Sequence, residues 1–497
     1  MTKAGLGFTL RRITNSFKTL FKSKMAVIGL VLLFGFVFAA LAAPLLTPYN
    51  PRIKVAGTLA QPEWVLNFPD GFYLSRNLVA PASSAITSPA SIQTWTVSAP
   101  TSTLANLQES YAQGIAISPD SKGSIQLAYS GDGPGTVNVT ETLQYPYHGP
   151  PAEFLAKVQY RVEGANLTSP VWVRVFVQRA QQPASQTFVL LNENETNSGV
   201  WLPALSLDTQ NLQFTQSLDK SLGFPSGVGP SAIIFSAATD YTYGVEITFS
   251  GHQRINIDNF QLQLFGTAFG VLGTDNQGFD VYSQTVYGAR ISLFIGLMAA
   301  GIGIGLGLVI GLLAGFLGKF VDEVLMRFTD MMLVIPTLPL LLVLVSVLGA
   351  NIWNLIIIIG FLGWMGFARI VRAQVLTLRE RPFVEAAKAS GAGPGRIITK
   401  HIFPNIVSLT YVNLALSVPA AIITEAALAF LGLSDPSVVS WGQMFNELQS
   451  NQLLAHNPPY WWWVLPPGFG IALVSLSFIL IGYALDEVFN PRLRKRR

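Results

Sequence analysis

Residues 383–405 read "FVEAAKASGAGPGRIITKHIFPN", and the reading of this stretch decides what kind of chain surrounds it. It carries Glu385, Lys388, Arg396, Lys400 and His401 around a Gly-Ala-Gly-Pro-Gly run, between two long apolar stretches. Ala386, Ala387 and Ala389 predict a short, slim helix over roughly Leu378–Ser390. Gly391 stops it, and Gly393, Pro394 and Gly395 let the chain turn before Pro404 closes the segment. A short rigid helix held between membrane spans has one evident use. It can fit a groove on a partner and pass motion to the spans.

The flanking sequence supplies those spans. Half of the 497 residues are hydrophobic and only 12% are charged, against about 25% in a soluble domain. Mean hydropathy is +0.43. Apolar stretches at 290–316, 331–349, 352–370, 406–432 and 464–486 follow one at 25–47, and each suits the ~30 Å of hydrocarbon in a bilayer. Six spans put both termini on one side. The short segments on that side are basic: residues 1–24 hold six Lys or Arg and no acid, the 371–404 loop holds Arg372, Arg379, Arg381, Lys388, Arg396 and Lys400, and the tail is "NPRLRKRR" (490–497). The positive-inside rule makes that face cytoplasmic. A cleavable signal peptide is the rival reading of the N-terminus, because "FAALAAP" (38–44) offers a cleavage site. The basic and apolar regions are both long for that.

Residues 48–270 differ in kind. They carry ten Lys or Arg against fifteen Asp or Glu, and period-two alternation recurs in "VQYRV" (158–162), "VWVRVFVQ" (171–178), "YGVEITF" (243–249) and "INIDNFQLQLF" (255–265). This predicts an antiparallel β-sandwich, which the charge pattern places outside the cell. Three Asn-x-Ser/Thr sequons, at Asn138, Asn166 and Asn194, are candidate glycosylation sites there.

Within the spans, Gly303, Gly307, Gly311 and Gly315 form a strip at four-residue spacing. Such a strip lets helix backbones approach closely, and helix packing is its expected role. Pro336, Pro339 and Pro419 predict kinks. Glu425 is an acid well inside a span. It lines a substrate path or holds an interhelical hydrogen bond. The run Tyr460–Trp463 suits an interfacial aromatic belt.

"EAAKASG" followed by "HIFPN" resembles the EAA signature of ABC importer permeases, with Glu385, Ala386, Ala387, Gly391 and Pro404 at matching positions. His401 stands where an apolar residue is common. "GTDNQGFDVYSQTVYGARISLFIG", "DEVLMRFTDMML.IP", "FLGLSDP...SWGQM" and "NPRLR" are similar to the dipeptide/oligopeptide class, and "SKMAVIGLVLLFGF...APLLTPYNP" to its second permease subunit. Phe279 and Gln284 occupy positions often basic there. The long block between the first two spans is the larger departure. The end of that block, "INIDNFQLQLFG", resembles the last strand of jelly-roll carbohydrate-binding modules.

The resemblance implies a six-helix, type I importer permease fold, with the first helix at 25–47 and a five-helix core at 271–489, into which an extracellular jelly-roll-like sandwich is inserted at 48–270. It implies a multi-pass protein of the cytoplasmic membrane, not itself an enzyme. A second permease subunit, two ATPase subunits and an external solute-binding protein would be its partners in the lipid bilayer. The EAA loop 371–404 would couple it to the ATPases, which would bind ATP and Mg. No G-x-x-x-x-G-K-[ST] loop occurs in this chain. Nor is a metal site expected, since there is no cysteine and His148, His252, His401 and His456 are scattered. No nucleic-acid role is indicated. Oligopeptides, oligosaccharides and nickel complexes all remain open as cargo. A membrane-anchored receptor or adhesin with a glycan-binding domain is the alternative, and it leaves five spans without a purpose.

Overall fold

The computed structural model describes residues 21, 23–180, 185–202, 205–225, 227–457 and 459–489. The basic residues Lys3, Arg11, Arg12, Lys18 and Lys22 and the tail 490–497 lie outside the described residues. The chain divides into a helical unit, Met1–Arg52 with Val281–Arg497, and a β unit, Ile53–Asp280.

The helical unit opens with α1 (Lys24–Leu41), an apolar helix without acid or base in its terminal turns beyond Lys24. α2 (Val281–Leu317) has 37 residues, about 55 Å at ~1.5 Å per residue. Its first turns bury the polar side chains of Ser283 and Gln284. Next come α3 (Lys319–Val334) and α4 (Thr337–Leu348), bent by 88° at the break between them. Pro336 sets that break: it has no N–H, and it forces Ile335 before it into extended backbone (φ −72°, ψ 125°). The third span therefore does not run simply over 331–349 as its hydropathy suggests. Asp322, Glu323, Arg327 and Asp330 lower the apolar score of α3 and hide its start.

α5 (Ile352–Leu362) and α6 (Met365–Arg379) form one apolar path of 28 residues. After α7 (Pro382–Ala389) come α8 (Phe403–Phe430), α9 (Trp441–Ser450) and α10 (Trp461–Phe489). Among the described residues, five helices are long and apolar enough to cross a membrane, and six if the bent pair counts as one. α2 is central, packing against α1, α5, α6 and α8, while α1 lies on α10. A β-carbon on Gly29 of α1 would stand 2.9 Å from the Ser477 carbonyl oxygen of α10. The aromatic run divides: Trp461 is partly exposed, but Trp462 and Trp463 are buried. Successive helical residues point in different directions, so four in a row cannot all face one interface.

The β unit contains two antiparallel sheets. Its strands are β1 (Leu78–Ala80), β2 (Thr96–Ser98), β3 (Leu107–Gln113), β4 (Gly123–Tyr129), β5 (Gly135–Tyr145), β6 (Glu153–Glu163), β7 (Val171–Arg179), β8 (Gln186–Glu195), β9 (Leu205–Asp208), β10 (Thr239–Phe249) and β11 (Gln253–Phe265). One sheet runs β3-β4-β11-β6-β9, with β1 on the free part of β11, and the other runs β2-β5-β10-β7-β8. Alternation sets the faces. Along β10, Tyr241, Tyr243, Val245, Ile247 and Phe249 are buried, while Thr242, Glu246 and Thr248 between them reach the surface. The inward rows of both sheets meet in one core. Residues 271–280 belong to this unit because they fold back on its start: Thr274 N–H donates to the Ala60 carbonyl at 2.9 Å, and Leu59 N–H to that of Asp275 at 2.7 Å.

Candidate functional site

α7 begins on Pro382, whose missing N–H is harmless in a first turn. Glu385 lies in the same turn, where the helix dipole favours an acid. One side chain anchors the helix. Val384 is fully buried in a cluster with Val371, Val375, Ile397 and Ile402, and Ala387 packs at its margin. Phe383, Glu385, Ala386 and Lys388 lie exposed. The helix closes at Gly391 (φ +76°), with Ala392 N–H donating to the Ala387 carbonyl at 3.0 Å and Gly391 N–H to that of Lys388 at 2.9 Å. This left-handed cap suits glycine, and an L side chain there costs about 1–2 kcal/mol. The chain then makes a turn at Pro394–Ile397 and a π turn at Ile398–Ile402 before α8. Pro404 has no N–H for the carbonyl four residues back. The π turn, closed by Phe403 N–H to the Ile398 carbonyl, takes up the mismatch.

α6 leads into α7 and sits directly on the glycine strip of α2. A β-carbon on Gly307 would stand 2.7 Å from the Trp364 carbonyl oxygen, and one on Gly311 2.6 Å from that of Ala368. One on Gly315 would stand 2.6 Å from Val375 Cβ, and one on Gly303 3.1 Å from the Gly360 oxygen. Arg379 Nη1 donates to the Gly315 carbonyl at 3.3 Å, and Lys388 Nζ lies 5.8 Å from the centre of the Phe316 ring. α3 is joined to the same helix by charge. Arg372 forks onto Asp322 at 2.5 and 2.6 Å, and Arg369 reaches Asp330 at 2.5 Å. Sequence reasoning missed these pairs. The available signal was Arg369 and Arg372, three apart on one helix face.

A cavity of about 150 Å³ lies between α2, α4, α5 and α8. Small and hydroxyl-bearing side chains dominate its wall, among them Ala299, Gly303, Thr337, Ser417, Ala420 and Thr424. Pro419 lies in the same stretch of α8. Glu425 does not line this cavity. It is buried in the contact with α9, and its Oε1 accepts from Ser440 Oγ at 2.7 Å. A β-carbon on Gly442 would come within 3.2 Å of that oxygen, and Oε2 is buried with no hydrogen-bond partner. Ser440 Oγ also accepts from Gln443 N–H, capping α9. The carboxyl thus serves the α8–α9 contact, and its neighbour Thr424 reaches the cavity.

Asp435, in the connection from α8 to α9, caps the start of α5. Burial acts to raise its carboxyl, but Ser437 Oγ (2.6 Å), Ser437 N–H (2.8 Å), Ile352 N–H (3.1 Å) and the nearby Arg52 hold it below the usual carboxylate range.

Of the sequons, Asn138 lies in β5 opposite Ser98 and Glu246. Asn166 is exposed on the β6–β7 turn, where its Oδ1 accepts from Thr168 Oγ1 at 2.7 Å. Asn194 is exposed on β8, an edge strand of its sheet. Among the described residues, no three His, Cys, Asp or Glu side chains gather to hold a metal.

Among the described residues, five or six apolar helices long enough to span a bilayer, with an exposed helix anchored between two of them, are the build of a multi-pass membrane protein. Residues 307–495 match the family model described as "Binding-protein-dependent transport system inner membrane component", and residues 13–62 match "N-terminal TM domain of oligopeptide transport permease C". The chain belongs to this family, in its dipeptide/oligopeptide class. It is 39% identical over 224 residues to the dipeptide transport system permease protein DppC of Bacillus subtilis, covering 45% of this chain and 69% of that one. To the oligopeptide transport system permease protein OppC of the same organism it is 38% identical over 224 residues, covering 45% and 72%. Solved structures matched include inward-facing MetNI methionine ABC transporter (17% identity, TM-score 0.32, 42% of this chain and 95% of that one). A family 11 carbohydrate-binding module from Clostridium thermocellum also matches (9% identity, TM-score 0.21, 36% and 91%).

Proposed function

We propose that this chain is a permease subunit of an ATP-driven importer of oligopeptides, working by alternating access. The exposed face of α7 carries the reading. One buried side chain, Val384, holds that face to the helix packing of α6 and α2, so a push on it is delivered to the spans. A second permease would complete the path and two ATPase subunits would grip the two exposed helices and bind ATP and Mg. An external solute-binding protein would deliver the cargo. The small-walled cavity beside Pro419 would form part of the path in this half. Both termini and α7 would face the cytoplasm, following the basic short segments, and the β unit with its sequons would face outward. The peptide assignment follows the relatives' names, and nothing in the fold favours oligosaccharide over it.

Two experiments test this. Mild-detergent capture of the tagged chain should bring down ATPase subunits, a second permease and a binding protein, whose ligand can then be screened against peptides and glycans. Glu385→Lys or Gly391→Val should abolish uptake while the chain remains in the membrane. Normal uptake by both variants would refute coupling through α7.

A further inference from the structure

The described residues of the β unit expose five large aromatic side chains, and four of them fall within residues 64–73: Trp64 (45% exposed), Phe68 (57%), Phe72 (56%) and Tyr73 (70%), with Trp172 the fifth. A sandwich with a complete core has no folding reason to gather them in one surface segment. The segment is built firmly. It consists of two short 3₁₀ turns, Glu63–Asn67 and Pro69–Gly71, with Val65 buried beneath. A β-carbon on Gly71 would stand 2.3 Å from the Val65 carbonyl oxygen. Phe72 stacks on His148 at 4.5 Å, and Trp64 Nε1 donates to the Val271 carbonyl at 3.1 Å.

Its position within the β unit is specific. The unit is entered at Ile53 and left at Asp280. Lys54 bridges to Phe279 across antiparallel chains, and Val55 N–H donates to the Gly278 carbonyl at 2.9 Å. Glu63 N–H donates to the Gly270 carbonyl at 2.9 Å, tying the aromatic segment to the same returning chain. Both covalent connections to the membrane helices therefore leave from the end of the sandwich that carries the rings.

We propose that residues 64–73 form an interfacial anchor that rests among lipid headgroups and holds this end of the β unit at the bilayer surface. Trp and Tyr are enriched in that zone, and Phe is among the side chains that interfacial segments bury at the headgroup boundary. Asp70 and the exposed Glu63–Arg76 ion pair lie in and beside the segment, so the rings can enter the headgroup layer but the segment cannot sink into hydrocarbon. The geometry disfavours a sugar platform. Trp64–Phe68 and Phe72–Tyr73 meet edge to face, at 84° and 90°, so neither pair forms a coplanar platform for successive sugar rings. The inference needs only that the chain is a membrane protein, and it holds whichever side the β unit faces.

The chain has no cysteine, so single labels can be placed cleanly. Phe68→Cys and Tyr73→Cys, each carrying an environment-sensitive fluorophore, would be compared with Leu167→Cys on the β6–β7 turn. That turn lies at the far end of β6 from Glu153, the partner of Lys54, about 35 Å away at ~3.3 Å per residue. The full chain, in its assembled transporter, would be reconstituted in phosphatidylcholine vesicles containing headgroup-spin-labelled lipid. Quenching at 68 and 73 about two-fold or more above that at 167 is expected for residence at headgroup depth. Equal quenching at all three positions overturns the proposal. In that case, aqueous iodide reaching 68 and 73 would mean a free surface, and shielding from iodide would mean a protein or glycan partner.

Discussion

The glycine strip of α2 allows one substitution to be tested with opposite expected signs within a single helix. Gly307→Ala and Gly311→Ala put a methyl 2.7 and 2.6 Å from backbone oxygens of α5–α6, inside any real carbon contact. Backbone cannot swing aside, so the helices must separate, at about 1–3 kcal/mol for an overpacked core. Gly301→Ala and Gly305→Ala place the same methyl where nothing lies within 4 Å. They remove glycine's conformational entropy and should stabilise by about 0.5–1 kcal/mol. The assay is thermal unfolding of the purified full chain in mild detergent. At about 2–4 °C per kcal/mol for a unit of this size, Gly311→Ala should lower Tm by several degrees, while Gly305→Ala leaves it unchanged or raises it slightly. The double variant Gly307→Ala/Gly311→Ala should lose uptake as well, because α6 carries α7. Equal shifts for the inner and outer glycines would refute the claim that the strip is a backbone seat.

Three further outcomes are expected. Asp322→Arg should impair uptake, and adding Arg372→Asp should recover part of it, because the forked pair joins α3 to α6; a double variant no better than the single would show that the pair does not couple them. Ser440→Ala leaves buried Glu425 without a hydrogen bond at either oxygen and should cost about 1–3 kcal/mol, whereas Ser440→Thr should keep most of the stability in the same melt. Despite burial, hydrogen bonds from Ser437 and Ile352 hold the folded Asp435 carboxyl below its ordinary value. Its contribution is therefore complete above that value and fades as pH falls through the lower folded one, so Asp435→Asn should lower Tm at pH 7 and narrow its deficit toward the acid end.

The features legible in the sequence were those a local pattern carries. Apolar length gave the continuous spans, alternation gave the strands now seen as β6, β7, β10 and β11, and the spacing from Glu385 to Gly391 gave α7. What stayed hidden depends on partners far along the chain. α3 carries five charged residues, four of which are paired, Glu323 with Arg327 inside the helix and Asp322 and Asp330 with arginines 50 and 39 positions away, so its polarity masks its place in the third span. The sequence marks Glu425 as unusual, but its orientation is set by Ser440 on the far side of a connection. The four rings of residues 64–73 have no periodicity, and only the folded β unit shows that they share a surface.

The bridge between Lys54 and Phe279 bears on how such a chain could arise. A domain of more than two hundred residues begins and ends on two neighbouring chain segments, joined by that bridge. A gene could acquire or shed the whole sandwich at that point without changing the distance the permease must span, much as one tight turn replaces another.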